Sequence, residues 1–219
     1  MKVAFLLQDT RALYGAEQAT IRLVEGLAAA GLSVHALLLH ETRLGEGKSD
    51  LAEALRRRVH VSEIPVAGRF SKAAIGQIRD FMARERVDVL HSTGYKADWH
   101  AGIASKKGAL FPVVSTVHGW LFRWKLKERL FQTLNVHSLR QFSRVIVLCD
   151  FYERYLRGCG LSPLQLARIP TGVQAESIVA RADARRLWEA CGEVFTFGLL
   201  GRLSSEKNHG LLLRAAVRL

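Results

Sequence analysis

Two basic residues stand in a short polar loop near the carboxyl end of the 219-residue chain. The stretch FGLLGRLSSEKNHGLLL (197–213) places Arg202 directly after the glycine that closes an apolar run, with Lys207 further along the loop. Arginine offers a forked donor and lysine a point charge, so the two can converge on a diphosphate. The pattern predicts FTFGLLG as a strand, Ser204 or Ser205 as the N-cap of the next helix, and a diphosphate site between them. A solvated basic loop is the alternative.

A second candidate anion site follows the first apolar run of the chain. In QDTRALYGAEQAT (8–20), Gly15 and Ala16 open a helix. Small residues let a ligand approach free backbone N–H groups, and the helix dipole favours an anion there. The stretch matches neither dinucleotide nor P-loop glycine spacing, so a plain tight turn explains one glycine equally well.

Histidines follow two other apolar runs. In PVVSTVHGW (112–120), His118 comes after a buried run, and Gly119 leaves space beside it. A histidine there can donate a hydrogen bond to a substrate hydroxyl or phosphate, although a lone histidine also suits a structural role. The equivalent residues after VDVL, predicted to line the acceptor side of the same crevice, are His91, Ser92, Thr93 and Tyr95.

The spacing of histidines, cysteines and serines does not indicate a metal site, a redox pair or a serine nucleophile. The eight histidines form no H-E-x-x-H pattern, and no G-x-S-x-G element is present. Cys149, Cys159 and Cys191 lack zinc or redox spacing, so we expect reduced packing residues and a cytoplasmic protein. We expect neither a metal nor another cofactor.

The elements that must position these residues alternate regularly along the chain. Seven short β-rich apolar runs occur at 2–7, 33–39, 58–64, 87–91, 112–118, 144–149 and 166–170. Between them, apolar residues recur at helical spacing. The alternation predicts a doubly wound α/β domain with a parallel, Rossmann-like sheet, whose ligands bind beyond the carboxyl ends of the strands. Gly31 is the predicted C′ residue of the first helix, and GEGKSD (45–50) a mobile surface loop.

Composition and charge limit the function classes. Hydrophobic residues make up 49% and charged residues 24% of the chain, which is typical of a soluble globular protein. No apolar run approaches the length of a membrane span or signal peptide. The net charge of +12 favours an anionic partner, unless it reflects composition alone.

Basic and aromatic residues interleave directly after His118. The stretch WLFRWKLKERLF begins at Trp120, and its candidate membrane contacts are Trp124, Lys125, Lys127 and Arg129. Such a helix start suits contact with anionic lipid, and hence a lipid-linked acceptor and a peripheral position at the inner face of the membrane. The alternative is a core-facing stripe formed by Leu126, Leu130, Leu134 and Phe142.

Three stretches together resemble glycosyltransferase family 4, the retaining nucleotide-sugar glycosyltransferases of the GT-B fold. They are YGAEQATIRLVEGLAAAGLSVHALLL, FSRVIVLCDFYERYLRGCGLSPLQLARIPTGV and GLLGRLSSEKNHGLLLRAA. The resemblance implies a Rossmann-like acceptor-side domain over 1–169. It implies that 170–219 are the crossover and the first strand and helix of a nucleotide-sugar domain.

The same resemblance implies roles for the candidate residues. Arg202 and Lys207 contact the donor diphosphate, Gly15 and Ala16 offer N–H groups to the same phosphates or the sugar, and His118 lies beside the transferring sugar. The implied partners are a nucleotide-sugar donor and a glycan or lipid-linked acceptor, in keeping with cell-envelope polysaccharide or lipopolysaccharide biosynthesis. Transfer with retention needs no metal here.

Three features depart from the family pattern. The first loop has Tyr14-Gly15-Ala16 where two glycines are usual, and Thr171 replaces the asparagine of I-P-N-G-V. The family's two glutamates spaced eight apart, which grip the donor sugar, belong well downstream of the G-R-L element, and the sequence reaches Leu219 before them. We therefore expect the chain to be an inactive fragment of a longer transferase.

Other classes of function remain as alternatives. A non-catalytic acceptor-binding half that needs a separate donor-domain chain fits the length. Nucleic-acid binding would use the charge, but no helix-turn-helix, zinc-finger or RNP signature is present, so we expect no such partner. Hydride chemistry would need the dinucleotide fingerprint that the first loop lacks.

Overall fold

The computed structural model describes residues 1–45, 47–68, 70–106, 108–120, 126–173, 175, 197–201, 203 and 207–218, with backbone alone at 44, 127 and 128. These residues belong to two compact units, Met1–Gly172 and Val173–Leu219. The roles predicted for the two parts of the chain, acceptor side and donor side, stay predictions.

The first unit is built on one seven-stranded parallel sheet. Its strands are β1 (Lys2–Gln8), β2 (Ser33–Glu41), β3 (His60–Val66), β4 (Val89–Thr93), β5 (Val113–Val117), β6 (Arg144–Val147) and β7 (Leu166–Arg168). Their order is β3-β2-β1-β4-β5-β6-β7, with every neighbouring pair parallel. Strand order reverses between β1 and β4, where open α/β sheets form their ligand crevice. The predicted fold class is confirmed.

Helices cover both faces of this sheet. They are α1 (Gly15–Ala29), α2 (Asp50–Arg56), α3 (Lys72–Arg84), α4 (Tyr95–Ala104), α5 (Leu126–Leu139) and α6 (Asp150–Gly158), with 3-10 turns at Thr42–Leu44 and Pro163–Gln165. Alternating residues of β1 divide between two cores: Phe5 packs with α1 and α2, while Leu6 packs with α3, α4 and α5. Both faces of the central strands are therefore buried, which explains their continuous apolar runs.

The ends of two helices show how local sequence fixes the chain direction. Gly31 follows α1 with a φ of +82°, as predicted for a C′ glycine. The segment predicted as a loop over 45–50 has no helix or strand at 45 and 47–49, and it ends in a helix cap, since the Ser49 hydroxyl accepts a hydrogen bond from the Ala52 N–H at 3.0 Å. Helix α2 was missed because its apolar face has only three buried residues, Leu51, Ala52 and Leu55.

The second unit differs from its prediction in two ways. Among its described residues none lies in a strand, so the predicted strand is wrong over 197–201, for which the described residues of this unit offer no second strand to pair with. The remaining predicted strand residues, 195 and 196, lie outside the described residues. Helix α7 (His209–Ala216) has Asn208 at its N-cap, with a φ of +50°, in place of the predicted Ser204 or Ser205, which also lie outside the described part. Asparagine tolerates this left-handed backbone better than most residues.

Candidate functional site

A cleft of about 240 Å³ opens at the carboxyl edge of β1, β4 and β5. The start of α1 contributes Ala16 and Glu17 to its wall, and the segment after β5 contributes His118 and Trp120. The strands bring these residues together because parallel strands end at one edge of the sheet. The cleft therefore lies where the sequence predicted a crevice.

The first residues of α1 leave open space beside their backbone. A Cβ placed on Gly15 would meet no atom within 4 Å, and the backbone there is one that any residue adopts. The backbone therefore does not require glycine at this position. The open space beside Gly15 leaves room for a ligand to approach the first-turn N–H groups. The Glu17 carboxylate accepts hydrogen bonds from the Tyr14 N–H at 3.2 Å and from the Thr10 hydroxyl at 3.3 Å.

His118 lies half-buried in the cleft wall directly after β5, at its predicted place. Burial lowers the pKa of its imidazole, and the nearby Glu17 carboxylate partly opposes that shift. The ring is therefore neutral near pH 7, so one of its nitrogens donates a hydrogen bond and the other accepts one. Its role beside a sugar stays a prediction.

Gly119 is a glycine that the structure requires. Its φ is +124°, and a Cβ there would stand 2.7 Å from the Tyr152 hydroxyl oxygen. That hydroxyl accepts a hydrogen bond from the Trp120 N–H at 3.1 Å. The glycine thus lets Tyr152 hold the chain directly after His118.

His91 is misplaced in the sequence-based prediction. It lies inside β4, which continues to Thr93, and it is buried in the sheet with its ring stacked on Phe5 at 4.6 Å. Its Nε2 is 2.8 Å from the Thr116 hydroxyl, and burial lowers its pKa to about 4, with His118 as a smaller cause. His91 is a neutral core residue beneath the cleft wall.

The other predicted acceptor-side residues divide between the cleft and the core. Ser92 is fully buried within β4 and is not among the residues that line the cleft; its hydroxyl faces α4, where it donates to Asp98. Thr93 and Tyr95 line the cleft, and Tyr95 also packs on Phe131 with ring centres 5.4 Å apart.

Asp98 is a cleft residue that sequence reasoning missed. It is 1% exposed, lies in α4 and accepts hydrogen bonds from Ser92, Ser115 and Asn135 at 2.6, 2.8 and 2.7 Å. Burial raises its pKa to about 6, and the three hydrogen bonds act against that shift. One signal was available, since Asp98 interrupts a helix face marked by the small residues Ala97 and Ala101.

The remaining predicted residues lie elsewhere or outside the described part. Arg202, Trp124, Lys125 and the side chain of Lys127 are not among the described residues. Lys207 belongs to the second unit, where its aliphatic stem lies against Gly201, next to position 202. Arg129 is exposed on α5.

The apolar stripe expected along α5 turns out differently. Leu126 is 84% and Leu130 57% exposed, so the core-facing interpretation is wrong for both, while Phe142 is buried. These two leucines and Arg129 share the exposed surface at the start of the helix, which the cores on both sheet faces leave uncovered.

Metal-binding clusters and membrane-spanning helices are both missing from the described residues. Within them, no group of three or more His, Cys, Asp or Glu side chains is arranged to hold a metal ion. Of the helices described, none has the length and apolar character to cross a bilayer.

Comparison with known proteins places these observations in a family. The model of Glycosyltransferase Family 4 matches residues 14–177, well over half of the chain. No curated protein matches the sequence.

Solved structures share the fold at low identity. The chain is similar to HepE from Anabaena in complex with UDP, with 17% identity and a TM-score of 0.77 over 100% of this chain and 58% of HepE. It is similar to the lipopolysaccharide outer core galactosyltransferase WaaB (12% identity, TM-score 0.58, 79% of this chain, 46% of WaaB). It is also similar to a UDP-GlcNAc 2-epimerase from Methanocaldococcus jannaschii (13% identity, TM-score 0.57, 90% of this chain, 54% of the epimerase). The chain therefore spans about half the length of these neighbours, and the likeness establishes a Rossmann-like domain of the GT-B type.

Proposed function

Because the chain belongs to Glycosyltransferase Family 4, we propose that it serves the transfer of a sugar from a nucleotide diphosphate sugar to a glycan or lipid-linked acceptor, with retention. The observation that carries the proposal is the cleft at the strand-order reversal, where the open start of α1 lies with His118 in one wall. Epimerases share the fold, but the family match favours transfer.

The donor side of the proposal depends on charge at the leaving phosphate. HepE is known in complexes with UDP and with UDP-glucose, so a nucleotide diphosphate sugar is the class of donor we propose. The first N–H groups of α1 at Gly15 and Ala16 supply partial positive charge for the diphosphate. For Arg202 and Lys207 the proposal keeps the contact with the donor diphosphate that the family resemblance implies. His118, neutral near pH 7, is proposed to hydrogen-bond the sugar.

We further propose that the 219-residue chain does not transfer sugar by itself. It spans 58% of HepE, and the second unit has only a short described helix, α7. The other candidate is an acceptor-binding half that works with a separate donor-domain chain. Sugar transfer by this chain alone, detected with a panel of nucleotide sugars, would overturn the proposal of inactivity.

The Gly15→Val variant is expected to bind UDP-glucose at least about tenfold more weakly, equivalent to about 1.4 kcal/mol. The branched side chain would fill the open space through which a diphosphate approaches the helix start. An NMR titration of the 219-residue chain with UDP-glucose measures this change. Gly26→Val is the matched control, because Gly26 also lies on α1 with no atom within 4 Å of a Cβ, but in the last turns of the helix, far from the N–H groups of its start.

Two outcomes of that titration count against the donor assignment. Equal UDP-glucose affinities of Gly15→Val and Gly26→Val would show that Gly15 does not lie at the phosphate site. A wild-type chain that shows no response to UDP-glucose, UDP or other nucleotide sugars would contradict donor binding by this chain.

The acceptor side of the proposal is a contact with anionic lipid at the start of α5. Reversing the charges of Lys127 and Arg129 to glutamate should weaken binding to phosphatidylglycerol vesicles at least about tenfold, since each basic residue near a membrane contributes about 1 kcal/mol. Exposed Leu126 and Leu130 lie beside Arg129 to enter the lipid interface. Co-sedimentation measures the change, with the double reversal of Arg154 and Arg157 on α6 as a control of equal charge. Equal losses from both pairs would show a nonspecific charge effect and contradict the contact.

A further inference from the structure

A chain of hydrogen bonds runs from the buried core to the cleft wall. The Asn135 amide donates to Asp98 Oδ2 at 2.7 Å, and the Trp120 indole Nε1 donates to Asn135 Oδ1 at 2.9 Å. Asp98 and Asn135 are 1% and 3% exposed, and both contribute to the cleft lining together with Trp120. The elements joined are α4, α5 and the segment that follows β5.

The direction of each bond is set by the chemistry of its partners. An ionised carboxylate only accepts hydrogen bonds, so Asp98 orients the NH2 group of Asn135 towards itself. The amide oxygen of Asn135 then faces Trp120, whose indole N–H can only donate. Ser92 and Ser115 donate to the other carboxylate oxygen, which fixes Asp98 on the sheet. The hydrogen bonds therefore fix the orientation of Asp98, of the Asn135 amide and of the Trp120 indole.

Trp120 is also held from its other side. Its main-chain N–H donates to the Tyr152 hydroxyl at 3.1 Å, and its ring packs edge-on against Tyr152 with centres 5.6 Å apart. The indole contact with Asn135 and the main-chain contact with Tyr152 together fix the residue that follows His118 and Gly119. A change in either anchor would let this part of the wall move.

We propose that Asp98 is a positioning residue for the cleft, acting through Asn135 to fix Trp120 and thereby the wall beside His118. The importance of this wall for substrate rests on the proposed function. The hydrogen-bond relay itself rests only on the geometry above. Asp98 needs no contact with a ligand to act in this way.

An exchange of the two side chains tests the relay directly. Asp98→Leu removes both acceptor oxygens and offers no polar group in their place, so the NH2 of Asn135 loses its partner and the amide can turn and meet the indole N–H. The exchanged variant combines Asp98→Asn with Asn135→Asp. In it, the amide now at position 98 accepts from both serines and donates to the carboxylate now at position 135, which also accepts from Trp120. The exchange keeps one charge and satisfies every bond, so it should restore the single defect.

The signal to follow is the Trp120 indole N–H resonance, assigned by its loss in Trp120→Phe. In Asp98→Leu it should shift and exchange with solvent about tenfold faster, as expected for one lost hydrogen bond, and the exchanged variant should return it towards wild type. An unchanged Trp120 signal in folded Asp98→Leu overturns the proposal. If Asp98→Leu does not fold, the exchanged variant decides: a wild-type-like Trp120 signal supports the relay, and a displaced signal in a folded protein overturns it.

This readout is independent of substrate. Failure of the wild type to bind UDP-glucose would count against the proposed function, yet the Trp120 signal would still decide the relay. Where the wild type binds UDP-glucose, Asp98→Leu should weaken that binding and the exchanged variant should recover it. Wild-type-like UDP-glucose binding by Asp98→Leu with a displaced Trp120 would overturn the positioning role.

Discussion

Replacing Lys96 by methionine is expected to lower the free energy of unfolding by about 3 kcal/mol, because it leaves a carboxylate buried without its closest cation. Lys96 is fully buried in α4, and its ammonium group donates to Glu41, which is 4% exposed at the end of β2. Methionine keeps the length of the side chain and removes the charge. The expected loss is at the lower end for a broken buried pair because Arg43 still contacts Glu41.

The surroundings of Glu41 explain why the pair matters for the cleft. Burial acts to raise the pKa of the Glu41 carboxyl, but hydrogen bonds from Lys96 and Arg43 outweigh it and hold the pKa below its ordinary value. Gln8, a cleft residue at the end of β1, donates to the same carboxylate at 3.2 Å. The pair therefore links β1 and β2 to the start of α4, beside Tyr95.

Urea unfolding of the wild type, the two single variants and the double variant separates the interaction energy of Glu41 with Lys96 from the effect of each substitution alone. Glu41→Gln with Lys96→Met should recover most of the loss, since no buried charge is then left unpaired. Lys72→Met, at an exposed first position of α3, serves as the control and should change stability by less than about 0.5 kcal/mol. A Lys96→Met protein as stable as the control would show that the pair contributes nothing.

The strands of the sheet were predictable because each one is marked by the apolar residues of its own short segment. Runs such as KVAFLL are apolar on both faces, and only a parallel sheet covered on both sides buries such strands. His118 was located for the same reason, since it follows one of these runs directly. The placement of His91 failed because β4 continues through Thr93, so a residue expected beyond the strand lies within it.

The polar core could not be predicted from the sequence. Glu41 and Lys96 are 55 positions apart, and Asn135 stands 37 positions from Asp98. A charged residue becomes a core residue only when distant partners satisfy it, and periodicity carries no information about those partners. The strand predicted over FTFGLLG failed likewise at its described residues, 197–201, because an apolar run forms a strand only beside another strand.

Asp98 and His91 are expected to give the free energy of unfolding opposite dependences on pH. Burial, with a smaller effect of His118, lowers the pKa of His91 from 6.5 to about 4. Between these values the unfolded chain binds a proton that the folded chain does not, so acidification lowers stability. Burial raises the pKa of Asp98 from 3.8 to about 6, against its three hydrogen bonds. The folded chain then holds the extra proton, so the contribution of Asp98 to stability is lost as the pH rises from about 4 to 6.

Each single variant should therefore reveal the slope of the other residue. Over its pH range each residue changes the free energy of unfolding by about 3 kcal/mol, because each pKa differs by about two pH units between the folded and the unfolded chain. His91→Gln, which keeps a polar group near Thr116, should lose less stability between pH 6.5 and 4.5 than wild type, and Asp98→Asn should lose more. The lowered pKa values of His35, His100 and His118 add an acid loss common to all three proteins. Urea unfolding at half-unit intervals of pH measures the three slopes. Parallel curves for the variants and wild type would contradict the prediction, since two buried groups with opposite shifts cannot both leave the slope unchanged when removed one at a time.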